Sequence, residues 1–182
     1  MPNWSDNDLT VIGPAKDVEE MLSKAWSPSE NDEHVLIPDF NKIIPYPEKY
    51  AEPDRVMQAA REKWEKLPPE ERAKAGFPMG KDGFNSGGYE WCIQNWGTKW
   101  YITEGTNFYR TDGAKKTQIK VTFQTAWSPP RQVILALAKA YPSITFSMRS
   151  YEMGMGWKRH LKAKGEEVLV DNSSKYSGNR GG

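Results

Sequence analysis

Cysteine and histidine are nearly absent: the 182 residues hold one cysteine and two histidines. That excludes a disulfide scaffold and any multi-cysteine zinc site, and it leaves too few ligands for a histidine-rich metal centre. No cofactor is expected. Long apolar runs are missing as well. No stretch reaches the length of a membrane span, and the opening Met1-Pro2-Asn3-Trp4-Ser5 lacks the basic and then apolar pattern of a signal peptide. The expectation is a soluble chain in a reducing, cytosolic compartment with no membrane partner. Excess charge is absent too, the net being +1, which argues against a wholly basic nucleic-acid coat and against an acidic disordered chain. Apolar residues make up only 37%. Eight tryptophans offset that scarcity, because each ring buries a large area, so disorder is expected only locally.

Motifs for catalysis are thin. Gly80-Lys81-Asp82-Gly83 is no phosphate loop, since Asp follows the lysine where Ser or Thr is required. His34 falls in a polar loop, and His160 falls in the basic run Lys158-Arg159-His160-Leu161-Lys162-Ala163-Lys164. Cys92, between Trp91 and Ile93, reads as a small buried hydrophobe rather than a nucleophile. Glu90, Glu104 and Glu152 have separations that give no positive sign of a carboxylate pair. Pro2 would be a secondary amine if Met1 were removed, but its neighbours read as a strand entry. The expectation is a protein that is no enzyme.

What is present is a rhythm. Leu9–Gly13 forms a short apolar strand, Pro14 opens a helix, and Val18, Met21, Leu22, Ala25 and Trp26 follow at helical spacing. A second strand is expected from about Val35 to Ile44. Later Ile119, Val121, Phe123 and Thr125 alternate with polar residues, and Ser128-Pro129 supplies a cap and a first-turn proline. Val133, Ile134, Leu137, Ala138 and Tyr141 then share a helix face, and Ile144, Phe146 and Met148 alternate again. Strand–helix–strand occurring twice predicts an α+β fold. Its architecture would be a ferredoxin-like, split βαβ antiparallel sheet with two main helices.

Between the two units the chain changes character. From Glu48 to Lys74, fourteen of twenty-seven residues are charged, with a helical pattern through Val56, Ala60, Trp64 and Leu67 broken at Pro68-Pro69. So much charge marks a solvated helical insertion, expected at about 48–88, within a single domain of residues 1–172. The Ser/Gly/Asn-rich stretch 173–182 is expected to be a disordered tail. Charge also divides along the chain: residues 1–90 carry 11 basic and 18 acidic side chains, residues 91–182 carry 14 and 6. A cationic second half would attract phosphate or an acidic partner, unless the halves interleave and the field averages out.

Tyr89-Glu90-Trp91-Cys92-Ile93-Gln94-Asn95-Trp96-Gly97-Thr98-Lys99-Trp100 is the densest segment. Tyr89–Trp96 reads as a short helix ended by Gly97. Its rings suit either a stacking surface for a base or a plug between insertion and sheet, and both readings stand at this point. This segment resembles a known family, as do Pro2-Asn3-Trp4, Phe40-Asn41-Lys42-Ile43-Ile44-Pro45-Tyr46-Pro47 and Phe123-Gln124-Thr125-Ala126-Trp127-Ser128-Pro129-Pro130. The family is that of the YubB-type ferredoxin-like proteins of bacteriophages and conjugative plasmids. The resemblance spans roughly residues 1–157. It implies a ferredoxin-like second half, no established catalytic residues, and an accessory role in counter-defence within the host cytoplasm.

Three functions draw on the same residues. The first is a non-catalytic phage or mobile-element protein that binds a host defence protein or sequesters a small nucleotide signal. The second is a single-stranded nucleic-acid-binding module, for which Lys99, Arg110, Lys115, Lys116, Lys120 and Arg131 lie among Trp100, Tyr101, Tyr109 and Trp127. No Lys/Arg-Gly-Phe/Tyr-Gly/Ala-Phe stretch accompanies them. The third is a hydrolase acting on a nucleotide. The expected site is one concave surface formed by Trp91, Asn95, Trp96, Lys99, Trp100, Trp127 and Arg131, with free amides at the helix start near Pro129-Pro130 facing an anion.

Overall fold

The computed structural model describes residues 3–102, 104–176 and 178. Pro2 and, of the expected tail, residues 177 and 179–182 lie outside them. In chain order the elements begin with β1 (Trp4–Gly13), α1 (Ala15–Ala25), β2 (Trp26–Pro28), β3 (Leu36–Pro38) and α2 (Phe40–Ile43). Then come α3 (Glu48–Glu65), α4 (Pro69–Ala75), a 3-10 turn at Phe84–Ser86 and α5 (Gly88–Asn95). The remainder is β4 (Gly105–Asp112), β5 (Thr117–Ala126), α6 (Arg131–Ala140), β6 (Thr145–Glu152), β7 (Trp157–Lys164) and β8 (Glu167–Lys175).

Six strands form one sheet in the order β4-β5-β1-β6-β7-β8, every neighbouring pair antiparallel. The first four, with α1 leaving β1 and α6 joining β5 to β6, make the split βαβ arrangement; β7 and β8 extend it. Period-two side-chain alternation sorts the residues between the faces. Leu9 and Val11 of β1, Ile119, Val121 and Phe123 of β5, and Phe146 and Met148 of β6 are buried in one core. Val18, Met21 and Leu22 of α1 and Val133, Ile134 and Leu137 of α6 join them there. Each such side chain contributes about 1.5–3 kcal/mol on burial. At one end of this covered face the filling is polar. Asn7 donates to the Thr125 hydroxyl at 2.9 Å and accepts from the Ser150 hydroxyl at 2.7 Å, so the buried amide is satisfied.

Two expectations need correction. Residues 35–44 do not make the second strand of the sheet. Leu36–Pro38 pairs only with Trp26–Pro28, and Asp39 then caps α2 by accepting from the amides of Asn41 and Lys42. The sheet strand in that topological position is β4, which the chain reaches only after the insertion. Residues 173–175, expected in the tail, belong instead to β8. Ser173, Ser174 and Lys175 pair with Arg159, Lys158 and Trp157, because backbone hydrogen bonding on an available edge does not require apolar side chains.

The insertion is helical, as its pattern predicts, and neither α3 nor α4 has a fully buried residue. It is tied down locally. Asp54 accepts from the Phe84 amide at 2.8 Å and from the Tyr46 hydroxyl at 3.2 Å. Gly83 lies so close to the Tyr50 carbonyl that a Cβ there would overlap it.

Candidate ligand-binding surfaces

The expected site residues divide into separate groups. Trp91 and Asn95 lie on α5, Asn95 donating to the Trp91 carbonyl at 2.9 Å. Trp91 meets Tyr46 and Trp96 edge-on, with ring centres 5.5 and 5.2 Å apart. Trp96 is only 1% exposed and donates its indole N–H to the Ile44 carbonyl at 2.8 Å. Phe40 also stands edge-on to it at 5.7 Å. Trp96 is thus a buried core ring at the seam with the insertion.

Gly97, with φ of 86°, reverses the chain here. Beyond it, the Lys99 ammonium lies 4.6 Å from the Trp127 ring centre, 5.0 Å from that of Trp100 and 5.6 Å from that of Tyr89. These are cation–π distances. Trp127 is 44% exposed and has a φ of 72°. Its amide is held by the Asn3 carbonyl at 2.8 Å.

Arg131 is not poised for an anion. Its guanidinium pairs with Asp171 of β8 through Nε at 2.9 Å and a terminal nitrogen at 2.7 Å. The start of α6 is covered too: a Cβ on Gly97 would collide with Gln132 and approach the Arg131 amide. Ser128, expected as the cap, donates instead to the Gly97 carbonyl at 2.5 Å, and Pro130 takes the cap position. The expected anion site at this helix start is therefore filled by the protein's own turn.

Of the seven residues, Trp100 lines a sizeable cavity. That cavity, about 680 Å³, opens where β4, β5 and the start of β1 meet the segment after α5, and its walls include Trp4, Tyr101, Asp6 and Glu104.

A second surface was not singled out from the sequence. The sheet face opposite the helices is open; Ile12, Lys120, Gln124 and Arg149 on it are exposed. Pairing places Asp8, Arg149, His160 and Asn172 in one row across four strands, with Tyr151, Lys158 and Ser174 in the next row. Lys162 sits opposite Ser147 one row the other way. A hollow of about 170 Å³ lies among Arg149, Lys158, Arg159, His160 and Asn172. Burial, then the charges of Arg149 and Lys162, hold the His160 imidazole below its ordinary pKa. Its Nε2 lies 3.0 Å from the Ser147 hydroxyl. The signal that would have found this surface is the alternation Lys158, His160, Lys162, Lys164. It has the period of a strand, so it sends these four side chains to one face, with Arg159 alone of the strand's basic residues out of phase.

The groups considered for catalysis are placed elsewhere. Cys92 is buried, and burial followed by the Asp54 charge pushes its thiol up to about 12, leaving it protonated and inert. Glu152 is buried and accepts from the amides of Gly154 and Met155 at 2.8 and 2.5 Å, closing its own turn. Among the described residues, no group of three or more His, Cys, Asp or Glu could hold a metal, and no helix is long and apolar enough to cross a membrane.

Comparison with known proteins bears on the fold. Residues 105–177, from β4 through β8, match the family model described as the ferredoxin-like domain in Api92-like protein. A ferredoxin-like class is thereby found by sequence comparison as well as by topology. The chain is also similar to the crystal structure of the protein api92 from Yersinia pseudotuberculosis, at 10% identity and a TM-score of 0.49, over 98% of this chain and 99% of that one. No curated protein matches the chain.

Proposed function

We propose that the chain is a non-catalytic accessory binding protein of a bacteriophage or mobile element, acting in counter-defence by holding a nucleotide signal on the open face of its sheet. One observation carries this reading: Arg149, Lys158 and His160 converge around a small hollow on a face that, among the described residues, no helix covers. Cations on two adjacent strands suit a phosphate, and Arg149 adds a planar, bidentate donor. The hollow is small and cation-lined, which favours a nucleotide over a protein partner. The phage or plasmid setting rests on the resemblance of the Tyr89–Trp100 and Phe123–Pro130 segments, and the host cytoplasm follows from it.

A second reading is favoured by the rings on the same face. Tyr109, opposite Lys120, and Trp4 are both exposed, so a single strand of nucleic acid could cross from β8 to β4 with bases on rings and phosphates on cations. Calorimetric titration with a cyclic dinucleotide and with oligonucleotides of increasing length separates the two. A nucleotide site saturates with the dinucleotide and gains nothing from added length. A strand site tightens with length and weakens steeply with salt. In either case Arg149→Ala should weaken binding roughly 10- to 100-fold, as expected for loss of a charge-assisted contact of about 1.5–3 kcal/mol. Affinity unchanged by Arg149→Ala overturns both readings. Turnover of the nucleotide that disappears in Ser147→Ala overturns the non-catalytic assignment.

A further inference from the structure

The large cavity has chemistry opposite to that of the open-face hollow. Two carboxylates, Asp6 and Glu104, stand in its wall with the rings of Trp4, Trp100 and Tyr101, and among the described residues no lysine, arginine or histidine lines it. Trp4 is 42% and Tyr101 48% exposed, so ring surface faces the space rather than the core. Trp4 and Trp100 meet edge-on at 6.1 Å. Asp6 is oriented by Gln124, whose amide donates to Oδ1 at 2.7 Å. The Asn31 and Asn107 side chains complete a polar rim able to accept or donate.

We propose that this cavity binds an organic cation, an alkylammonium or guanidinium group carried on a flexible body. Carboxylates near aromatic faces attract such a group through Coulomb and quadrupole terms acting together. The same carboxylates repel phosphate, which separates this site from the nucleotide reading. A bare divalent ion would gain nothing from the rings. The neighbouring aromatic cluster already shows the chemistry internally: the Lys99 ammonium rests within cation–π distance of Tyr89, Trp100 and Trp127 and is not among the residues that line the cavity. A volume of about 680 Å³ is more than one head group needs, so it also takes the chain that bears the cation. Two sources supply that chemistry: a free polyamine, or a basic side chain on a partner protein. The inference does not depend on the function proposed for the open face.

Tryptophan fluorescence and calorimetry with two probes, spermidine and an acetylated, amidated tetra-arginine peptide, test it. Saturable binding of at least one probe is expected, weakened about fivefold or more by Glu104→Gln and by Asp6→Asn. Glu104 is exposed, so Glu104→Gln should melt like the parent. Arg149→Ala, and the double change Glu70→Gln, Glu71→Gln on α4, should leave both affinities unchanged. Tighter binding of spermidine assigns a free polyamine, and tighter binding of the peptide assigns a partner's side chain. The proposal is overturned if neither probe saturates at millimolar concentration. It is overturned equally if Glu104→Gln and Asp6→Asn bind like the parent, or if the α4 change weakens binding as much as they do.

Discussion

Trp96 and Trp127 are the same residue type, thirty-one positions apart, and the structure assigns them different work. Truncating Trp96 to Ala removes a ring that is 1% exposed and stands edge-on to Phe40, Trp91 and Tyr101. Large-to-small changes at such aromatic positions cost about 3–5 kcal/mol, and the cavity does not collapse easily where α2, α5 and two loop segments converge. The Ile44 carbonyl also loses its indole donor, which places the expectation toward the upper end. For a chain of this length each kcal/mol lowers Tm by about 2–4 °C, so Trp96→Ala should melt roughly 6–20 °C lower. Trp127→Ala removes a half-exposed ring with one edge-on partner, Tyr89, and a share of the Lys99 cation, together about 1–2 kcal/mol. Thermal melts followed by near-ultraviolet dichroism, with urea titrations for the free energies, measure both. If the two variants melt together, or Trp96→Ala costs less than about 1 kcal/mol, the assignment of Trp96 to the core is wrong.

The Arg131–Asp171 pair ties α6 to β8, but both side chains are about half-exposed, so a double-mutant cycle with alanine should give a coupling of only about 0.2–1 kcal/mol. A coupling above about 2 kcal/mol would mean that Arg131 holds the β8 extension in place far more strongly than an exposed pair can. The His160 imidazole titrates below its ordinary value, so the folded state binds fewer protons than the unfolded one as pH falls below about 6.5. Its contribution to stability is therefore complete above that pH and declines as pH falls toward the folded value. A phosphodiester bound beside it reverses the preference by favouring the charged ring. Its affinity, measured by calorimetry between pH 7.5 and 5.5, should rise as pH falls, and His160→Gln should flatten the profile. A rise that persists in His160→Gln would assign the titration to another group.

The sheet was legible in sequence wherever one face is apolar. Ile119, Val121 and Phe123 announce β5, and Ile144, Phe146 and Met148 announce β6, because burial on a single side imposes a period of two. The same rule misleads at residues 35–44. There an apolar run next to α1 has the composition of a sheet strand, yet Pro38 cannot donate to a ladder and Asp39 begins a helix. The true partner is β4, which has a bulge between Thr106 and Tyr109 and mostly exposed side chains, so its hydrophobic signal is weak.

The candidate site was harder for a related reason. Trp96 and Trp100 are four residues apart, and a helix would put them on one face; the reversal at Gly97 sends one to the core and the other toward the cavity. Three tryptophans in ten residues give no indication of that turn's direction, since the glycine is required by Gln132 and the start of α6, which are distant in sequence. For β7 the alternation was present in plain letters but its sense was inverted. Only Leu161 and Ala163 mark the buried side, while the charged positions between them supply the stronger pattern. On an open sheet face the polar half of the period carries the binding chemistry. Under the function proposed for that face, Lys158, His160, Lys162 and Lys164 carry the ligand contacts and the tryptophans that dominate the composition do not.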